Sequence, residues 1–83
     1  MKEHKSEIVA GFPGENFYIS ENESKLLKQV ITKEDRLSIS HQVGYSSELV
    51  RLIIHRERKV TKKNYPALEI MRNKAKIGNH GVK

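Results

Sequence analysis

The chain has 83 residues and no cysteine, which leaves room for one small domain and removes disulfide staples, thiolate nucleophiles and cysteine zinc sites. Its formal charge of +6 is unevenly spread: residues 51–83 carry ten basic against two acidic groups, and residues 1–50 six against eight. No apolar run approaches a membrane span and residues 1–7 are charged with no apolar secretory core, so the expectation is an intracellular, cytoplasmic protein with no membrane partner.

Residues 1–18 read as an irregular N-terminal arm. Gly11-Phe12-Pro13-Gly14 is turn chemistry, and Ile8-Val9-Ala10 fits either a short strand or apolar residues capping the core. Phe12, Phe17 and Tyr18 are expected to lean on a helical body, whether the arm as a whole is docked or disordered. The first helix is predicted from Ser20 to about Ile31. Ser20 with Glu23 makes a capping box, Leu26, Leu27, Val30 and Ile31 repeat at helical spacing, and Glu21 can pair with Lys25 one turn on. Lys25, Lys28 and Gln29 fall on its wet face.

A second helix is predicted over residues 36–43, capped by Thr32 or Asp35, with Leu37, Ile39 and Val43 inward and Ser40 small at the closest helix crossing. Gly44 supplies the left-handed C-cap, and Ser46 caps a third helix over residues 47–56. Leu49, Val50, Ile53 and Ile54 form the buried stripe of that helix. Ser47, Glu48, Arg51 and His55 lie opposite, with Leu52 at the boundary. After a basic link at residues 57–60, a fourth helix starts behind Thr61 or Asn64, with Tyr65, Leu68, Met71 and Ala75 on one side. Pro66 distorts its first turn and Gly78 ends it. The organisation is thus an arm at 1–18, a helix-turn-helix domain at 19–77 and a flexible tail at 78–83. The fold class is all-α, four helices with short connections.

Leu37, Ile39, Ser40, Val43, Gly44, Val50 and Ile53 together resemble the helix-turn-helix of phage repressor and Cro-like transcriptional regulators. The resemblance spans about residues 26–71. It implies that the third helix enters a DNA major groove, with Ser47, Glu48 and Arg51, and further along His55, reading bases. Arg58, Lys59, Lys62 and Lys63 would contact the DNA backbone, together with Arg36, Ser46 and Arg56. Arg51 has the fork that holds guanine O6 and N7, yet it serves equally as a phosphate clamp or as an ion-pair partner of Glu48 or Glu57. Glu48 either accepts from a cytosine amino group or stabilises the helix start. Ser46 acts as a cap or donates to phosphate.

The expected function is sequence-specific double-stranded DNA binding by a small, nucleoid-associated transcriptional regulator, a repressor-like homodimer on two half-sites. The alternatives are an architectural or excisionase-like DNA factor, and a protein-interaction module such as an antitoxin or adaptor. The four histidines show no metal-ligand spacing, and no catalytic triad, phosphate loop or paired-acid constellation stands out. The expectation is therefore a non-enzyme with no cofactor and no metal.

Overall fold

A computed structural model describes residues 11–76, so Ile8-Val9-Ala10 and Gly78 itself lie outside the described residues. Four helices follow one another: α1 (Glu21–Val30), α2 (Lys33–Val43), α3 (Ser47–Ile54) and α4 (Tyr65–Ala75). α2 packs on α3, α4 packs on both α1 and α2, and α1 touches α3. The all-α class expected from the pattern is what the chain adopts. Among the described residues the one extended pairing is an antiparallel bridge between Phe17 and Val60.

Three of the four helices begin where a side chain accepts from an orphan backbone donor. The Ser20 hydroxyl accepts from the Glu23 amide at 3.1 Å, which is half of the expected capping box. The other half does not form, because the Glu23 carboxylate turns to Arg72 on α4. Thr32 caps α2 with the full reciprocal box: Asp35 N donates to Thr32 Oγ1, and Thr32 N donates to Asp35, both at 3.0 Å. That box starts α2 three residues earlier than expected. Ser46 caps α3 by accepting from Leu49 N at 3.1 Å.

Before α4, Thr61 and Asn64 bond each other's amides reciprocally, at 2.7 and 3.2 Å. The regular helix then begins at Tyr65, with Pro66 in its first turn, where a missing backbone donor costs little.

The core collects Ile19, Leu27, Ile31, Ile39, Val50, Ile53, Ile54, Val60, Tyr65, Ala67, Leu68 and Met71. On α3 the expected stripe is inward at Val50, Ile53 and Ile54, with Leu49 half-buried. On α2 only Ile39 and Ser40 are buried. Leu37, expected inward, is 43% exposed. Its position lies about 200° around the helix from Ile39, at 3.6 residues per turn, so the two cannot share an inner side. Leu26 likewise points out, because Ser24, Leu27 and Ile31 take the inner stripe of α1.

The lead-in is docked from Phe12 onward. Phe12 meets the Tyr65 ring edge-on at 5.6 Å between centroids, and Phe17 and Val60 exchange backbone bonds at 3.1 and 2.6 Å. Tyr18, expected against the body, is instead 48% exposed, because the residues on either side of it point inward.

Two helix ends differ from expectation. α3 stops at Ile54 rather than Arg56. Arg56 N donates to Ile53 O and Glu57 N to Leu52 O, with Arg56 at φ 61°, a Schellman closure built without glycine. α4 ends at Ala75, with Lys76 at φ 63°. Gly44, at φ 81°, closes α2 as the turn requires.

Candidate nucleic-acid interface

α3 is held at both ends. At its C-terminal end the buried Ser24 hydroxyl of α1 donates to Ile54 O at 2.6 Å. The Arg56 guanidinium donates to Ile19 O at 2.8 Å and meets Glu21 at 3.4 Å. At its N-terminal end the Tyr45 hydroxyl donates to Lys63 O at 3.0 Å, tying the α2–α3 turn to the segment before α4. Residues 56–63 therefore leave the C-terminal end of α3 and return beside its N-terminal end. Eight residues of α-helix span about 12 Å, close to the width of a major groove.

With Val50, Ile53 and Ile54 inward, helical geometry turns Glu48 and His55 to the outer side, with Arg51 on its flank and Ser47, seven residues before Ile54, at the boundary. Ser47 is half-buried, Glu48 exposed, and the Arg51 side chain 35% exposed. Arg51 and Glu48 pair through Nε at 3.0 Å and Nη2 at 2.6 Å. Those bonds hold the Glu48 carboxyl below its ordinary range, with smaller contributions from the charges of Arg36 and His55. In return Glu48 raises the Arg51 guanidinium above its usual value. Arg36, half-buried in the first turn of α2, thus joins Glu48, Arg51 and His55 in one electrostatic group.

The pairing uses the side edge of the guanidinium. The end edge, carried by Nη1 and the second Nη2 hydrogen, stays available to a planar acceptor pair. Of the alternatives open for Arg51, the ion pair with Glu48 is the one formed in the free chain. Glu57 acts on Arg51 only through its charge.

The backbone-contact set divides. Ser46 spends a lone pair on capping α3, and its hydroxyl hydrogen remains able to donate. Arg58, Lys59, Lys62 and Lys63 are exposed, with the Lys59 ammonium 5.8 Å from the centre of the Tyr18 ring. Arg56 is committed to Ile19 and Glu21, so its first role is structural. Glu21, expected to pair with Lys25, pairs with Arg56 instead.

Four contributors escaped sequence reasoning. Tyr45 ties the turn to Lys63, and Tyr18 sits beneath Lys59. Lys25 and Lys28, on the wet side of α1, line a cleft shared with His55 and Arg56. Only the helical spacing of the two lysines hinted that they form a pair. No three of His, Asp or Glu converge as a metal site among the described residues, and no helix there is long and apolar enough to cross a membrane.

Comparison of the chain with protein-family models, curated proteins and solved structures finds no match.

Proposed function

We propose that the chain binds double-stranded DNA in a sequence-specific manner, with α3 in the major groove, as a small intracellular transcriptional regulator. The observation that carries this reading is the polar side of α3, with Glu48 and His55 exposed and Ser47 and Arg51 half-buried, on a helix whose two ends are both flanked by cations from residues 56–63. Glu48 pre-orients Arg51 so that its end edge can address O6 and N7 of a guanine. Ser47 contributes a hydroxyl beside it, and Arg58, Lys59, Lys62 and Lys63 neutralise phosphates. One short helix offers few base contacts, so useful specificity calls for a homodimer on half-sites about 34 Å apart.

The test is a binding selection from random duplexes, followed by titration of the best site. A shared motif with two-fold symmetry is expected. Arg51→Ala should erase preference at one base pair by about 5- to 150-fold, the range of a bidentate contact. Arg58→Ala should weaken all duplexes alike. Selected duplexes with no common motif would sink sequence-specific binding, and bending without base preference would favour an architectural factor.

A further inference from the structure

Between α1 and the C-terminal end of α3 lies an open cleft of about 450 Å³, lined by Glu21, Ser24, Lys25, Lys28, His55 and Arg56. Its floor is fixed by the Ser24 hydroxyl bonded to Ile54 O. Its charge is unbalanced. Lys25, Lys28 and Arg56 stand against Glu21 alone, and Glu21 is already met by Arg56 at 3.4 Å. Among the described residues neither Lys25 nor Lys28 makes an ion pair with a protein carboxylate. They stand one turn apart, at i and i+3, and so share one side of α1. A polar cleft with two unspent ammonium groups and a histidine suits an oxyanion such as phosphate.

Continuity with the α3 surface selects the source of that phosphate. His55 belongs both to the cleft and to the outer side of α3, about 6 Å of helix rise beyond Arg51. Arg56 carries the rim from the cleft to Ile19, and Lys59 continues it over Tyr18. Positive charge therefore runs from the end of α3 onto α1 through Arg56, Lys25 and Lys28, opposed there by Glu21, which Arg56 meets, and by the exposed Glu57 next to Arg56 in the chain.

We propose that this cleft seats a backbone phosphate of bound duplex DNA, with Lys25 and Lys28 as the clamp. The DNA footprint then extends past α3 onto α1. The inference rests on the DNA-binding reading above and adds an anchor point from a helix outside the helix-turn-helix pair.

The experiment uses the full chain and its selected duplex, with affinity measured by fluorescence anisotropy across a salt series. Lys25→Gln with Lys28→Gln should make the log–log salt slope shallower by about 0.9 for each phosphate no longer neutralised, with base preference and melting temperature unchanged. Lys76→Gln, at the end of α4, should leave the slope as it is. Retained binding with an unaltered slope in the double variant overturns this inference and leaves the DNA reading standing. Tripolyphosphate is the second probe. If it raises the melting temperature of the free chain through Lys25 and Lys28 while the DNA slope stays fixed, the cleft takes free anions, and the DNA assignment of the cleft is overturned. A parent chain that binds no duplex overturns both.

Discussion

Arg72 of α4 holds Glu23 of α1 through Nε at 2.6 Å and Nη2 at 3.0 Å, and the two ends of this bridge are unequally buried. The Glu23 side chain is 10% exposed and that of Arg72 28%. Removing either partner should therefore have different consequences. Arg72→Met keeps an apolar stem but strands a nearly buried carboxylate. One-sided loss of a fully buried pair costs about 3–5 kcal/mol, which water at the Arg72 end reduces to about 2–3 kcal/mol. Glu23→Gln leaves the guanidinium one acceptor oxygen and a route to water, at a cost of about 1 kcal/mol.

At about 4–8 °C per kcal/mol for a domain this small, Arg72→Met should lower the melting temperature by about 10–20 °C and Glu23→Gln by about 4–8 °C. The double variant Glu23→Leu/Arg72→Met, which leaves no stranded charge, should recover part of the loss. Thermal unfolding followed by circular dichroism at neutral pH, with urea midpoints as a check, measures all three. Equal losses from the two single variants would refute the asymmetry, and an Arg72→Met melt within about 2 °C of the parent would refute the bridge itself.

Other substitutions probe two of the left-handed closures and the acid sensitivity of α2. Gly44 sits at φ 81° with nothing within 4 Å of where a Cβ would stand, so Gly44→Val should cost only conformational energy, about 1–2 kcal/mol, and Gly44→Asn less, by thermal melt. Arg56→Gly loses the bonds to Ile19 and Glu21 but relieves a side chain held at φ 61°. Arg56→Ala loses the same bonds and keeps the strain, so it should melt about 4–8 °C below Arg56→Gly.

The Asp35 carboxyl is held below its ordinary 3.8, chiefly by the Thr32 amide and also by the Thr32 hydroxyl and Lys74. Its folded value is the lower one, so its stabilisation is complete above 3.8 and is lost as pH falls through the folded value. The gap in melting temperature between the parent and Asp35→Ala should accordingly close on acidification through the carboxylate range. A gap that holds constant there would refute the cap's charge dependence.

The sequence made the helices legible because their signals are local. Ser20, Thr32, Ser46 and Gly44 mark boundaries through bonds that span three or four residues, and the stripe of α3 is strongly periodic. What it hid depends on pairings between distant segments. Glu23 reads as a capping-box acid because its spacing from Ser20 is right, yet the pull of Arg72, 49 residues away, decides where its carboxylate goes. The end of α3 is hidden for a related reason. A Schellman closure usually announces itself with glycine, and here Arg56 takes the left-handed position while Ile19 and Glu21 hold its side chain. α2 misleads through Leu37, since its apolar residues do not share one side and its burial rests on Ile39 and Ser40. On the candidate interface, the residue types and their side of α3 could be read from spacing. The Glu48 clamp on Arg51 could be named only as one of several alternatives, and the lysines of α1 had no sequence link to His55.

The ties on α3 separate two kinds of substitution that a binding assay alone would confuse. Ser24 to Ile54, Arg56 to Ile19 and Tyr45 to Lys63 are bonds from side chains to backbone carbonyls, and together they fix where the helix ends lie relative to α1 and the basic segment. None of those three donors belongs to the stripe of Ser47, Arg51 and His55. If α3 reads DNA, changing a stripe residue should alter preference among sequences while leaving unfolding untouched, because the stripe holds up little of the core. Loosening an anchor such as Tyr45→Phe should do the reverse. It weakens every duplex, because a helix that must be ordered on binding loses affinity without changing which bases it favours. Separability of those two responses is therefore a property of the anchoring geometry.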